Sequence, residues 1–131
     1  MSEIDFPGWY ILTMHLDAQG VILNANQRFL DLTGFKILEL TGKSYTELLH
    51  SDVPEEIYLS LCETVNLIQS ASAILKLCGK DNKHFWADVS VSVTMHDLEL
   101  TSYFVVLTKP KVAQVSVASR IYAKLSQDRA R

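Results

Sequence analysis

The chain has few of the features that define specialised protein classes. Its 131 residues include only two cysteines, Cys62 and Cys78, which suit a reduced, cytoplasmic setting better than a disulfide framework. No apolar run approaches the roughly 18 residues that a membrane span needs. The N-terminal MSEIDFPGWY carries acidic residues where a secretory signal has a basic region. We therefore expect a soluble, cytoplasmic chain without a direct membrane span.

The sequence also lacks the usual signatures of an enzyme. It contains no nucleophile beside a base, no His/Cys cluster at metal-ligand spacing and no glycine-rich phosphate loop. The acidic residues Glu55, Glu56 and Glu63 suit a solvated helix face rather than a catalytic pair. We expect no catalytic residue and no metal site in this chain.

Charge is distributed unevenly along the chain. The net charge is −3, yet residues 1–108 hold 6 basic and 14 acidic side chains, while residues 109–131 hold 6 basic and 1 acidic. A basic tail can indicate a nucleic-acid partner. Here no two lysine or arginine residues of the tail are adjacent and no aromatic ladder accompanies them, so we expect no nucleic-acid binding.

The N-terminal part of the chain predicts a hairpin followed by short helices. Residues 11–17 and 21–24 flank a glycine-containing turn and are rich in apolar and β-branched side chains, which is typical of two antiparallel strands. Either Asn24 or Asn26 then caps the first of several short helices. These short helices end before Pro54, since proline does not continue a helix.

The remainder predicts one longer helix, three strands and a single core. Residues 54–69 place apolar side chains at steps of one, three and four, as a helix does. ASAILKL, HFWADVSVSVTM and SYFVVLT predict antiparallel strands, and the second alternates strictly. Its apolar face consists of Phe85, Ala87, Val89, Val91, Val93 and Met95. The pattern predicts one α+β domain, which suits a chain of this length.

The tail after Pro110 predicts an amphipathic helix. Its apolar side chains recur at three-four-three spacing over barely two heptads. They are Val115, Ala118, Tyr122 and Leu125. Two interpretations remain open: the helix packs on its own sheet, or it is a dimerising connector to a following domain. Trp86, on the polar face of its strand, is a further interface candidate, since it can cover a helix or a partner subunit.

Five fragments in this order resemble the PAS sensory domain. They are VILNANQRFLDLTGF, ELTGK, LLHSDVPEEIYLSLCETV, GKDNKHFWADVSVSVTM and SYFVVLTKP. The resemblance is greatest to the PAS domains of aerotaxis and chemotaxis receptors and of sensory-box (PAS/GGDEF) proteins. Their His-Pro-Asp-Met-Pro element stands here as HSDVP at residues 50–54. The resemblance implies a PAS fold: a five-stranded antiparallel sheet with the short helices and the longer helix on one face, enclosing a pocket, and a C-terminal connector helix.

The resemblance also implies candidate pocket residues. They are Asn26, His50, Asp52, Tyr58, Cys62 and Phe85. PAS domains of this subgroup often hold a flavin, but here the arginine position is Leu49, the helical tryptophan position is Cys62, and a second tryptophan position falls near Ala71. These departures remove an aromatic stacking partner and a phosphate-binding cation. The cofactor therefore stays unknown, with FAD and haem as the family's candidates.

Two of these residues have simpler interpretations. His50 is the candidate axial ligand for haem, yet a histidine at a helix start is more simply explained by a hydrogen bond to the backbone or to Asp52. Asn26 is more simply a helix cap than a ligand contact.

The resemblance implies a sensory, signal-transducing module of a larger bacterial-type signalling protein. It divides the chain into an N-terminal extension (1–10), a PAS domain (11–110) and a connector helix (111–131) that leads to an output domain. Candidate outputs are a diguanylate cyclase, a chemotaxis signalling domain and a histidine kinase. Such a module senses a small ligand or a redox state and transmits the change through the C-terminal helix. The alternative is a ligand-free domain whose pocket is filled by side chains and which serves as a dimerisation or protein-interaction spacer. We expect a homodimer.

Overall fold

Apart from one short strand at the N-terminus, the strands and helices follow the order that the sequence predicts. The computed structural model describes residues 2–129. Its strands are β1 (Ser2–Glu3), β2 (Leu12–Asp17), β3 (Ile22–Ala25), β4 (Ser70–Cys78), β5 (Lys83–His96) and β6 (Glu99–Thr108). Its helices are α1 (Gln27–Thr33), α2 (Ile37–Leu40), α3 (Glu55–Ile68) and α4 (Val112–Arg129), with a 3-10 turn at Tyr45–Leu48. Within residues 2–129, no helix is long and apolar enough to cross a membrane.

The five predicted strands form one antiparallel sheet in the order β4-β5-β6-β2-β3. A sixth strand, β1, was not predicted; it pairs in parallel with the start of β5 through Ser2–Glu3 and Lys83–His84. The segment that follows β1 buries Phe6 against the sheet. Two residues of strand carry too little periodicity to be recognised in a sequence.

The predicted α3 helix is confirmed to within one residue at each end. Pro54 precedes its first turn, where Glu55 and Glu56 complement the positive end of the helix dipole. Gln69 ends the helix in the left-handed conformation at φ 71°. This helix buries Leu61 and Val65 against the sheet.

The turn between β5 and β6 is shorter than the predicted HDLELT. Only Asp97 and Leu98 lie in it, with φ of 50° and 68°. Positive φ at both central residues is the geometry of a tight two-residue hairpin. This turn contains no glycine, so its position could not be recognised from the sequence. As a result β6 begins at Glu99 rather than at the predicted Ser102.

The core lies between the inner face of the sheet and the helices. On β5 the predicted apolar face is buried at Phe85, Ala87 and Val89, whereas Met95 is exposed. A register shift between Thr94 and Met95 interrupts the regular pairing of β5 with β6 there. The apolar alternation therefore marks the core at the start of the strand and not at its end.

Candidate functional site

A cavity of about 210 Å³ lies between the inner face of the sheet and the helices. Its walls come from four of the strands, from α1 and α3, from the 3-10 turn and from the β2–β3 turn. The lining residues are Met14, Leu16, Ala18, Gln19, Gly20, Phe29, Tyr45, Leu48, Leu49, Tyr58, Leu61, Cys62, Val65, Leu75, Leu77, Val89, Val91, Tyr103, Val105 and Leu107. None of these residues, all within the described part of the chain, is charged.

A polar pair in the cavity wall joins the 3-10 turn to α3. Tyr45 Oη lies 3.0 Å from Cys62 Sγ, and either atom can be the donor. Burial, and then the hydrogen bond to Cys62, raises the pKa of Tyr45 well above its usual value of 10.0. The Tyr45 hydroxyl therefore stays protonated at any physiological pH and remains a hydrogen-bond donor.

A second tyrosine of the cavity wall is held from outside the cavity. The hydroxyl of Tyr103 donates to Asn66 Oδ1 at 2.8 Å. Burial raises the pKa of Tyr103 above its usual value. Since Asn66 belongs to α3, this bond ties β6 to the helix that covers the cavity.

Gly20 fixes the position of the Tyr45 ring. A Cβ atom at residue 20 would stand 2.8 Å from Cδ1 of Tyr45, and the backbone there has φ 82°. Both the close approach and the left-handed conformation require glycine. The sequence indicated the turn but not the tyrosine that packs on it.

We expect Gly20→Ala to lower the free energy of unfolding by about 2–3 kcal/mol, because it adds a steric clash to a strained backbone. Urea denaturation followed by circular dichroism measures the loss. Two matched controls separate the causes. Gly42 has φ 86° with nothing within 4 Å of its Cβ position, so Gly42→Ala shows the backbone cost alone, about 1 kcal/mol. Gly8→Ala, with an open position and no positive φ, should be nearly neutral. Equal losses at residues 20 and 42 would contradict the clash.

The structure separates the six candidate pocket residues into two groups. Tyr58 and Cys62 line the cavity, and so does Leu49, which stands at the family's arginine position. Asn26, His50, Asp52 and Phe85 are not among the lining residues. Phe85 is fully buried and packs edge-on against Phe6, with ring centroids 6.0 Å apart.

Asn26 uses both ends of its side chain within the protein. Its Oδ1 accepts a hydrogen bond from the backbone N–H of Phe29 at 3.1 Å and caps α1. Its Nδ2 donates to the carbonyl of Ile11 at 3.0 Å. Asn26 therefore ties the first helix to the start of β2.

His50 lies at the outer edge of β4, where its backbone N–H donates to the carbonyl of Lys76 at 3.0 Å. Its Nδ1 accepts from the backbone N–H of Asp52 at 3.0 Å. Asp52 Oδ2 in turn pairs with Lys76 Nζ at 2.8 Å. The His84 ring lies edge-on to the His50 ring, with the centroids 5.7 Å apart. Nδ1 of His84 is buried and has no hydrogen-bond partner among the described residues. The local hydrogen bond expected as the simpler interpretation of His50 is present.

Burial, together with Lys76 and His84, lowers the pKa of His50 below its usual 6.5, while Asp52 opposes the shift. A histidine with a lowered pKa in the folded state binds fewer protons than in the unfolded state, so stability falls as the pH drops below 6.5. We expect the free energy of unfolding to decrease between pH 7.5 and 5.5, as measured by urea titrations, and His50→Gln to flatten the decrease. An unchanged slope in His50→Gln would contradict this assignment.

The residues present do not fit the cofactors that the family implies. A flavin would find no cation among the described lining residues. The lining residues Leu49 and Cys62 stand where the resemblance led us to expect an arginine and a tryptophan. The cavity volume, about 210 Å³, also lies below the roughly 300–1,000 Å³ of pockets for drug-sized ligands. A haem would need an axial ligand inside the cavity, whereas His50 is not among the lining residues. The backbone hydrogen bond that its Nδ1 accepts also leaves the proton of the neutral ring on Nε2.

The candidate interface residues lie on the outer side of the sheet. Ala118 and Tyr122 of α4 are buried, and Val115 and Leu125 are half-buried. The Tyr122 ring packs on Trp86, with centroids 5.3 Å apart. The Tyr122 hydroxyl donates to the carbonyl of Ile74 at 2.7 Å. The helix thus lies over its own sheet at β4 and β5.

The fold agrees with comparisons to known proteins. The sequence matches the PAS domain family over residues 9–108, so the chain belongs to the PAS domain family, whose members are sensory modules. Over 113 residues it is 22% identical to the aerotaxis receptor of Escherichia coli (strain K12), a match that covers 86% of this chain and 22% of the receptor. The chain thus spans about a fifth of that relative's length.

Solved structures show the same fold at low identity. The PAS domain of a Colwellia psychrerythraea protein superimposes with a TM-score of 0.70 at 15% identity, covering 76% of this chain and 86% of that one. A light-oxygen-voltage domain studied with a flavin analogue gives 0.70 at 17%, covering 90% and 87%. The dark-state domain of the blue-light photoreceptor Aureochrome1 gives 0.70 at 16%, covering 89% and 85%. The predicted PAS fold is confirmed.

Proposed function

We propose that this PAS sensory domain binds a small ligand in the cavity beneath its sheet and transmits binding to the C-terminal helix. The observation that carries the proposal is that one face of β4 lines the cavity and the other faces α4. Leu75 and Leu77 of this strand line the cavity. Because side chains alternate across a strand, Ile74 and Lys76 lie on the opposite face, toward α4.

Contacts of α4 support this route. The Tyr122 hydroxyl is bonded to the Ile74 carbonyl at 2.7 Å, so a displacement of β4 moves an atom that holds the helix. Lys76 adds a second connection, since its Nζ pairs with Asp52 at 2.8 Å and lies 5.9 Å from the centre of the Trp86 ring, on which Tyr122 packs. A ligand that shifts β4 by a fraction of an ångström therefore changes the docking of α4 without an intermediate element.

We further propose that the chain acts in the cytoplasm as part of a longer signalling protein and has no catalytic role itself. Its two cysteines are free, as in reduced compartments. The relative named above is a much longer receptor, which supports an output domain in the same longer protein. A diguanylate cyclase, a chemotaxis signalling domain and a histidine kinase remain the candidate outputs.

Native mass spectrometry of the protein purified from its own host, with a visible absorption spectrum, tests the ligand. We expect a bound small molecule without a flavin or Soret band. Hydrogen exchange before and after its removal tests transmission, and exchange should change in α4 and at Ile74. A ligand-free mass together with no ligand found by screening would overturn the sensory mechanism.

The alternative function, a dimerisation spacer, draws support from apolar side chains that α4 leaves exposed. Val112 is 87% exposed, and Val117 and Ile121 are nearly half exposed. A groove of about 450 Å³ is bordered by Val117 and Ile121 of α4 together with Ile57 and Ile74. A second copy of the chain is the occupant we propose. Sedimentation of the protein with and without residues 111–131 tests this alternative. A dimer that depends on this segment supports the spacer or connector role, and a monomer in both cases rejects it.

A further inference from the structure

We propose, resting on the ligand-binding function proposed above, that the cavity takes a neutral aromatic molecule of one or two rings with a single hydroxyl or carbonyl group, and not a flavin. Three independent properties of the cavity lead to this ligand class. They are its volume, the absence of charge from its described walls and the Tyr45–Cys62 hydrogen bond.

The volume sets the size of the ligand. An apolar cavity of about 150 Å³ is known to bind benzene. This cavity, at about 210 Å³, has room for one substituted ring or two small fused rings. A flavin, with three fused rings and a ribityl chain, does not fit without displacing the walls. Phe29, Tyr58 and Tyr103 supply aromatic partners, which favours a ring over an aliphatic chain.

The walls set the charge of the ligand. Every described lining residue is uncharged. A carboxylate or ammonium group that moved from water into the cavity would therefore find no side chain of opposite charge. The cost of burying an unpaired ion far exceeds what the apolar contacts return. A ligand that must place a carboxylate or phosphate inside the cavity is therefore excluded, and so are the dinucleotide cofactors.

The Tyr45–Cys62 pair sets the functional group. Sulfur is a weak hydrogen-bond acceptor, so the Tyr45 hydroxyl, now 3.0 Å from Cys62 Sγ, loses little by turning to an oxygen atom of a ligand. A hydroxyl or carbonyl oxygen is a better acceptor than the thiol. Tyr45 is thus the group that distinguishes an oxygenated ring from a plain hydrocarbon.

A matched series of probes tests the proposal: toluene, p-cresol, 4-methylbenzoate and riboflavin, each titrated by calorimetry into the wild-type protein and Tyr45→Phe. We expect p-cresol and toluene to bind wild type, and 4-methylbenzoate and riboflavin not to bind. In Tyr45→Phe the affinity for p-cresol should fall about two- to tenfold, the value of one net hydrogen bond. The affinity for toluene should not change.

Two variants on adjacent positions of β6 locate the site. Val105 lines the cavity, whereas Val106, its neighbour, points to the opposite face. Val105→Phe should abolish binding of p-cresol and Val106→Phe should preserve it. Amide chemical-shift mapping on the wild-type protein gives the same answer if Val105→Phe does not fold, with shifts expected at Leu75, Leu77 and Val89.

The outcomes separate this inference from the function on which it rests. If 4-methylbenzoate or riboflavin binds in the cavity as tightly as p-cresol, the neutral-ligand class is wrong while ligand sensing stands. An equal loss of p-cresol and toluene affinity in Tyr45→Phe overturns the role of the Tyr45 hydroxyl. If shifts fall only on the groove beside Ile57 and Ile121, the cavity is not the site. If no probe binds and no molecule co-purifies, the sensory function itself fails.

Discussion

Replacing Phe85 by alanine is expected to lower the free energy of unfolding by about 3–5 kcal/mol, the range measured for truncation of a buried phenylalanine. Phe85 has no exposed surface and lies where β5 meets the N-terminal segment. Its ring packs edge-on against Phe6, an arrangement that adds to the free energy of simple burial. Chemical denaturation measures the loss, which is a large fraction of the roughly 5–15 kcal/mol that stabilises a typical domain.

Phe85→Leu is the matched control for this prediction. It keeps most of the buried volume and should cost less than about 1.5 kcal/mol. Since Phe85 is not a lining residue of the cavity, the leucine variant should bind p-cresol with wild-type affinity. A folded Phe85→Leu protein that no longer binds any cavity ligand would show that Phe85 is a pocket residue after all.

The sheet and the longer helix could be predicted from the sequence because each carries a period of its own. β5 alternates strictly from Phe85 onward, and in its first half every second residue is buried. The α3 helix combines an apolar period with Pro54 and two glutamates at its start. Such signals are local, so they can be recognised without knowing which other elements the helix or strand packs against.

Tertiary contacts and unusual turns left no such signal. The two-residue turn at Asp97 and Leu98 lacks glycine, and the polar pair of the cavity joins Tyr45 to Cys62 across 17 residues. His50 shows the limit of analogy: the resemblance placed it in the pocket, whereas it lies outside the lining and bonds to Asp52. Sequence patterns predict which elements form, and only their packing determines which side chains meet.

Membership of the PAS family determines the fold of the chain but not which ligand it binds. Solved structures share this fold with a TM-score of 0.70 at 15–17% identity, so the architecture tolerates replacement of most side chains. Ligand choice depends on the few residues of the cavity wall. Leu49 and Cys62 line this cavity, at positions where the resemblance led us to expect an arginine and a tryptophan.

Replacing Tyr122 by alanine is expected to release α4 from the sheet. Tyr122 is 6% exposed, and burial raises the pKa of its hydroxyl to about 12, so the group stays a donor to the Ile74 carbonyl. Truncation removes the ring that covers Trp86 and leaves a gap worth about 3–5 kcal/mol of docking free energy. Faster hydrogen exchange across residues 112–129 would report the release.

Fluorescence gives a second, independent measurement of the same release. Because Trp9 is 67% exposed, Trp9→Phe leaves Trp86 as the sole tryptophan at little cost in stability. In that background Tyr122→Ala should shift the emission to longer wavelength, since water reaches the Trp86 ring. Tyr122→Phe keeps the ring and loses one hydrogen bond of about 1 kcal/mol. It should leave the emission close to wild type and speed exchange in α4 much less than Tyr122→Ala does. If Tyr122→Phe releases α4 as fully as Tyr122→Ala does, the hydroxyl and not the ring holds the helix. If neither variant releases α4, Tyr122 does not hold it.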